Sequence, residues 1–260
     1  MFHAIIQVRM GSSRLPGKAL RSYMELSPLK ILYKRLKKSQ KISKIIIATT
    51  TLKKDLKIIN FCKKFKVPYF RGSPEDVLSR YYYTAKKFKS KNIIRLTADN
   101  PFVDIKTLNK LVNLKIKGKY NYVSNAYPLP TNYPDGSEIE IFDFRTLEKT
   151  FFLAMLPSER EHVTFFMVKS KFFKKNKLKL KNNLSKFRYT IDVAGDFKVF
   201  SSLIDAYPGK RIFTVSMNEI VNYLKKNKKI TKYQKKIKRN FGWKSSFKKD
   251  KIFKKLNKYI

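Results

Sequence analysis

Short apolar, often β-branched runs alternate along the first half of the chain with longer segments whose apolar positions recur at helical spacing. Phe2 to Val8 predicts a buried strand, Pro28 to Lys38 a helix, Lys44 to Thr49 a strand and Lys53 to Phe65 a helix. Val67 to Phe70 continues as a short strand, Pro74 to Phe88 as a helix opened by proline, Asn92 to Thr97 as a strand, Asp104 to Lys117 as a helix and Tyr120 to Ser124 as a strand. Such alternation predicts an α/β fold, a mainly parallel sheet with helices on both faces. Ligands of these sheets bind beyond the carboxyl ends of the strands, so the loops starting at Arg9, Thr49, Arg71 and Thr97 are expected to converge.

After residue 125 the pattern changes. Tyr127 to Asp135 is too rich in Pro and Tyr for regular structure, whereas Gly136 to Phe142 alternates Ser and Glu with Ile and reads as a strand. Phe144 to Leu153 and Ser158 to Lys171 read as helices, Leu178 to Lys181 and Phe187 to Asp192 as two strands able to pair, and Phe197 to Ala206 and Met217 to Lys226 as helices. We therefore expect a catalytic domain over residues 1–225. The lysine-rich segment 226–260, which holds the only tryptophan, Trp243, either packs as a C-terminal helix or stays mobile.

The loop after the first strand carries the densest chemistry. Gly11, Ser12 and Ser13 let backbone N–H groups approach phosphate oxygens, Arg9, Arg14 and Lys18 add charge-assisted donors, and Pro16-Gly17 forces a turn. It is not the P-loop of ATPases, which has four residues between its glycines and Ser or Thr after the lysine. Here five residues separate Gly11 from Gly17, and Ala19 follows Lys18.

Composition limits the reading further. The length of 260 residues suffices for a sizeable core, no apolar run reaches the roughly 18 residues of a membrane helix, and no basic region precedes the N-terminal apolar run. The expectation is a cytoplasmic chain without membrane insertion. Cys62 has no partner for an internal disulfide and reads as a buried helix residue, and with His3 and His162 as the only histidines no zinc site is credible. The charge of +42 suggests nucleic acid, but the lysine is spread through every helix rather than gathered in a stripe or tail. Spread lysine is a solvated face, so no specific nucleic-acid partner is expected.

The loop Gln7-Val8-Arg9-Met10-Gly11-Ser12-Ser13-Arg14-Leu15-Pro16-Gly17-Lys18 resembles the nucleotide-binding signature of the sugar cytidylyltransferases, the group containing the CMP-Kdo and CMP-sialic acid synthetases. The likeness is strongest to the branch typified by spore coat polysaccharide biosynthesis protein F. It continues in order through Ile46-Ile47-Ala48-Thr49-Thr50, Phe70 to Tyr81, Ile94 to Pro101, Tyr133-Pro134-Asp135-Gly136, Glu159 to Thr164 and Arg188 to Asp192. The resemblance implies a nucleotide-diphospho-sugar transferase fold and Mg²⁺-dependent transfer of CMP from CTP to the anomeric hydroxyl of an acidic sugar, with release of diphosphate. A homodimer is compatible with it. The alternatives are another nucleotidyl- or glycosyltransferase of polysaccharide synthesis, or a non-catalytic protein that binds nucleic acid.

Asp99, between a strand end and Pro101, suits a magnesium ligand or, alternatively, an N-cap or Asx-turn residue. The resemblance favours the metal for Asp99 and for Asp192, while Asp196 either assists through water or caps the next helix. Arg14 and Lys18 are expected to act in catalysis with these carboxylates. Thr49, Arg71 and Ser73 join Arg9, Gly11, Ser12, Ser13, Arg14 and Lys18 on the nucleotide. Asp76 and Arg80, four apart, read as a helix salt bridge. For the sugar, the resemblance points to Arg160, whose planar fork suits a carboxylate, and to His162. Arg95, Asp135, Glu138, Glu140 and Arg188 complete that set, with the two glutamates on one face of a strand. No Asp-x-Asp of glycosyltransferase type is present.

Overall fold

A computed structural model describes the whole chain apart from residues 13, 128, 233–236, 238, 241 and 258–260. β1 (Phe2–Gln7) lies at the centre of a sheet between β2 (Ile42–Thr50) and the fourth strand, with β3 (Tyr69–Gly72) outside β2. β4 (Asn92–Thr97) is parallel to β1, then β6 (Glu140–Asp143) runs antiparallel beside it. β5 (Tyr122–Ser124) and β7 (Lys175–Lys177) finish the order β3-β2-β1-β4-β6-β5-β7.

The two-residue period of β1 sorts its side chains between two layers. Ala4 and Ile6 join a cluster with Leu29 and Leu32 of α1 (Pro28–Leu36), Ile58 and Cys62 of α2 (Leu56–Lys64) and Leu111 of the fourth helix. Ile5 faces the opposite layer, with Leu78 and Tyr81 of α3 (Val77–Lys87). The helices α4 (Ile105–Gly118), α5 (Phe144–Leu153), α6 (Pro157–His162) and α7 (Phe165–Lys169) follow. Ser27, Asp76, Asp104 and Asp143 cap α1, α3, α4 and α5 by accepting from a backbone N–H of the first turn, so the motif-bearing loops end on anchored helices.

A third cluster gathers α8 (Ala194–Ala206) and α9 (Met217–Lys226) against Phe102 and Ile31. Buried Arg35 ties this cluster to the sheet: its guanidinium donates to the carbonyls of Val103 (3.0 Å), Ile212 (2.9 Å) and Val215 (2.7 Å). Short α10 (Lys228–Thr231) leads to α11 (Trp243–Leu256), which packs along α6. No helix among the described residues is long and apolar enough to cross a membrane.

Two sequence expectations change. The segment Ser158 to Lys171 is not one helix: fully buried Val163 takes φ +65°, breaking it into α6 and α7. Leu178 to Lys181 and Phe187 to Asp192 do not pair with each other. Asn132 takes the Leu180 backbone N–H, while the 187–191 backbone bonds to Asp135 and to the carbonyl of Asp99. This brings the Asp192 end beside the loop after β4. Gly136 permits the approach, because at φ +106° a Cβ there would collide with the Thr190 nitrogen.

Arg35→Lys should lower unfolding stability by about 3 kcal/mol, because one ammonium cannot serve three carbonyls that then stay buried and unpaired. Urea denaturation midpoints measure this.

Candidate active site

In the sheet order, β1 has β2 on one side and β4 on the other, so the chain reverses direction of growth between β1 and β4 and leaves a crevice at their carboxyl ends. The β1 loop folds over that crevice. The N–H groups of Ser12 and Gly17 both donate to the carbonyl of Met10, each at 3.0 Å, and Gly17 takes φ +72°. The Met10 N–H in turn donates to Asp55 Oδ1 at 2.7 Å, and Asp55 is fully buried and also accepts from Thr50. The Ser12 N–H is thus spent within the loop.

Lys18 carries the centre of the site. Its Nζ donates to Asp99 Oδ2 at 3.0 Å, to Asp192 Oδ1 at 2.8 Å and to the Ile191 carbonyl at 2.7 Å. Burial opposes the charge on Lys18, yet the two carboxylates outweigh it and raise its pKa. Burial likewise opposes ionised Asp192, but Lys18, Arg14 at 3.2 Å and Arg188 hold its carboxyl down at about 2. Arg188 also pairs with Asp135 and, at 2.8 Å, with Asp196.

Two chambers open from this point. The smaller, about 300 Å³, is lined by Arg9, Ser12, Lys18, Val77 and Arg80; the larger, about 600 Å³, by Tyr127, Asp135, Glu138, Glu140, Arg188 and Trp243. Arg14, Arg95, Asp99, His162 and Asp192 line both. Within the larger chamber, Glu140 is paired with Arg95 and accepts from Tyr122 Oη at 2.6 Å. Glu138 accepts from Asn100 at 3.0 Å and pairs with Arg239, while burial, partly offset by Arg239, pushes its carboxyl up to about 7.

Several expected residues stand elsewhere. Arg160 lines neither chamber; it pairs with Asp76 and donates to the Phe151 carbonyl at 2.7 Å. Asp76 therefore has no bond to Arg80, because as the N-cap its carboxylate folds towards Ser79, and Arg80 donates instead to the Ser73 carbonyl at 2.9 Å. Arg71 spends its guanidinium on the carbonyls of Thr50 and Thr51, Ser73 accepts from the N–H groups of Glu75 and Asp76, and Thr49 is buried in β2. Gly11 contributes to neither chamber wall, and Ser13 lies outside the described residues. Asp196 is turned inward, accepting from Arg188 and from the N–H groups of Asp192 (2.7 Å) and Val193 (3.1 Å), which is the cap and not the metal role.

Sequence reasoning missed Asp55, Tyr127, Trp243 and Arg239. Arg239 carried a faint signal, as the only arginine after Arg211 in a run of lysines. The described residues hold no cluster of three or more His, Cys, Asp or Glu side chains arranged for a metal. Asp99 and Asp192 nevertheless fit a magnesium ion, which takes one or two carboxylates and completes its shell with phosphate and water: both already hold a shared cationic group, and both are about a quarter exposed, at 28 and 27 %.

The family model described as cytidylyltransferase matches residues 3–237. The chain belongs to the cytidylyltransferase family. It is 37% identical over 229 residues to a protein of Methanocaldococcus jannaschii, covering 87% of this chain and 91% of that one. It is 32% identical over 236 residues to spore coat polysaccharide biosynthesis protein SpsF of Bacillus subtilis, covering 86% and 93%. A cytidylyltransferase structure from Leptospira borgpetersenii matches with TM-score 0.82 at 32% identity, covering 88% of this chain and 95% of that one. A CMP-2-keto-3-deoxy-manno-octonic acid synthetase solved with CTP shares the fold at TM-score 0.59 and 14% identity, over 79% and 98%. As a cytidylyltransferase, the chain is a nucleotidyltransferase.

His162 supplies a test of the site's electrostatics. Burial, with Arg95 nearby, depresses its pKa from 6.5 to about 4 against the pull of Glu161 and Asp250. Because the folded value lies below the unfolded one, unfolding takes up a proton between about pH 6.5 and 4, and stability falls as pH drops through that window. His162→Gln should flatten that part of the stability profile, and the His162 ring should titrate near 4 by NMR.

Proposed function

We propose that the protein transfers CMP from CTP to a hydroxyl of an acidic sugar, releasing diphosphate, as a cytoplasmic step that supplies an activated sugar for surface polysaccharide. The observation that carries this reading is the Lys18 ammonium bonded to both Asp99 and Asp192 where the two chambers meet. A phosphoryl centre placed there would have a triphosphate on one side and an acceptor on the other. The names of the SpsF relative and of the octonic acid synthetase support the polysaccharide setting and the nucleotide.

The smaller chamber suits the triphosphate, since Arg9, Arg14, Lys18, Arg80 and Arg95 line it against three acidic residues, Asp99, Glu161 and Asp192. Arg14 and Lys18 lie against the β- and γ-phosphates in this reading and compensate charge as diphosphate departs. Asp99 and Asp192 would hold Mg²⁺, which supplies charge compensation at the α-phosphate when bound. The acceptor oxygen forms a bond to the α-phosphorus as the bond to the bridging oxygen breaks, and its proton passes to water. The residues 1–225 contribute alignment and charge rather than a covalent intermediate.

The acidic nature of the sugar rests on the likeness of the motif blocks to the CMP-Kdo and CMP-sialic acid synthetases and on the name of the octonic acid synthetase that shares the fold. Arg95 and Arg188 in the larger chamber's wall keep their guanidinium groups on Glu140 and on Asp135, Asp192 and Asp196. Arg160, facing Asp76, is not assigned to the sugar.

Diphosphate release with each of the four triphosphates, Mg²⁺ and a panel of octulosonic, nonulosonic and neutral sugars tests the proposal. CTP with an acidic sugar should support turnover; turnover with neutral sugars alone would overturn the acidic part. Asp99→Asn and Asp192→Asn should each cut kcat by about 100-fold or more while circular dichroism stays unchanged. Near-normal rates in both would remove the metal assignment.

The triphosphate assignment has its own control. Arg14→Ala should weaken CTP binding by roughly 1 to 3 kcal/mol, whereas removal of one exposed charge at Lys248 should leave calorimetric affinity nearly unaltered. Equal losses would mean that the general positive field, not the loop, holds the nucleotide.

A further inference from the structure

The end of the chain past the family match, which stops at residue 237, builds one wall of the larger chamber. α11 is fastened to α6 by buried polar contacts. The Ser158 N–H and hydroxyl donate to the Asp250 carboxylate at 2.8 and 2.6 Å, Ser246 Oγ donates to Glu161 at 2.7 Å, and His162 Nε2 sits 2.9 Å from Ser246 Oγ. Ser246 is fully buried, so this is a fixed dock for the helix.

That dock sets the position of Trp243, the first residue of α11. Its indole meets Phe165 edge-on, with centroids 4.7 Å apart at 79°, and lies 5.5 Å from the Tyr127 ring at 35°. Trp243 and Tyr127 are both half-buried and both line the larger chamber; neither lines the smaller one. The same chamber is also lined by the polar side chains of Asn100, Glu138 and Thr190.

We propose that Trp243 and Tyr127 form the platform for the acceptor sugar's ring, making the C-terminal helix a specificity element of this enzyme. The inference rests on the acceptor chamber assigned above. A pyranose presents a face of C–H groups that carries slight positive charge, and an aromatic face carries the complementary negative quadrupole over a large, rigid area. With its C–H face on the indole, the ring leaves its hydroxyls for the polar lining, where the buried Asn100 Oδ1 has no hydrogen-bond partner among the described residues. The nucleotide base is the less suitable occupant, because the phosphate-loop groups Arg9, Ser12 and Lys18 open only into the smaller chamber.

Trp243 is the only tryptophan, so its emission reports on this wall directly in the full-length protein. Titration with octulosonic and nonulosonic acids, with and without CTP, should give a saturable emission change for the sugar that is turned over. Trp243→Ala should raise that sugar's KM about tenfold while leaving the KM of CTP within about twofold, and Trp243→Phe should restore most of the loss. Melting temperatures of both variants, compared with the parent, separate a lost platform from an undocked helix.

Turnover with silent Trp243 emission would overturn the platform and leave the transfer reading standing. A saturable response to a sugar that is never a substrate would keep the platform and sink that reading. An emission change with CTP alone would put the base on the indole and overturn the inference. So would equal KM rises for both substrates with Trp243→Phe no better than Trp243→Ala, since α11 would then be only a brace.

Discussion

Two carboxylates and one ammonium hold the active end of this fold together. Asp99 and Asp192 come from loops 93 residues apart in sequence and would repel at the approach the fold requires, yet Lys18 bonds to both and to the Ile191 carbonyl. Burial works against the charge on Lys18 and on Asp192, and the pairing outweighs it in both. The remaining parts secure the three groups. Asp55 pins the β1 loop at Met10, the 187–191 backbone is bonded to Asp135 and Asp99, and Arg188 braces Asp192 from behind through Asp135 and Asp196.

The charge of the chain reads differently once this site is known. Only 18 residues are acidic, against 60 Lys and Arg, and Asp99, Asp135, Glu138, Glu140, Asp192 and Asp196 all stand in or just behind the cleft. Scarce carboxylates in the cleft neutralise arginines and position loops, while the lysines outside far outnumber the carboxylates left to pair with them. Total charge thus describes the exterior, where it attracts polyanions at long range, and says little about selectivity inside, where nearly every guanidinium is already paired.

The hydrophobic pattern made the parallel half of the sheet legible. Asn92 to Thr97 is β4 residue for residue, and Phe144 to Leu153 and Met217 to Lys226 are α5 and α9, periodic runs opened by the caps Asp143 and Ser216. The segments 158–171 and 178–192 were not legible, since their course is set by tertiary demands: burial of Val163 at positive φ, and backbone bonds from 187–191 to distant loops. The site divides along the same line. Lys18 and Asp99 follow strands that the pattern marks and Asp192 is named by its motif block, whereas the direction taken by Arg160, Arg71 and Asp196 depends on which carboxylate or carbonyl lies closest. A guanidinium in a motif block states its chemistry without naming its partner.

The C-terminal segment shows the same limit most sharply. In α11 the lysines outnumber the apolar residues that would betray a packed face, and its attachment joins polar bonds through Ser246 and Asp250 to ring contacts of Trp243 and Phe247 with Phe165. A hydrophobic pattern registers little of such a dock, because hydroxyl-to-carboxylate bonds leave no periodic trace. What these bonds accomplish is placement: they hold Trp243 against Phe165 and Tyr127 at the chamber wall. A helix fastened by directional hydrogen bonds thus adds Trp243 to a chamber that the sheet and its loops otherwise line, through Tyr127, Asn100, Glu138 and Thr190.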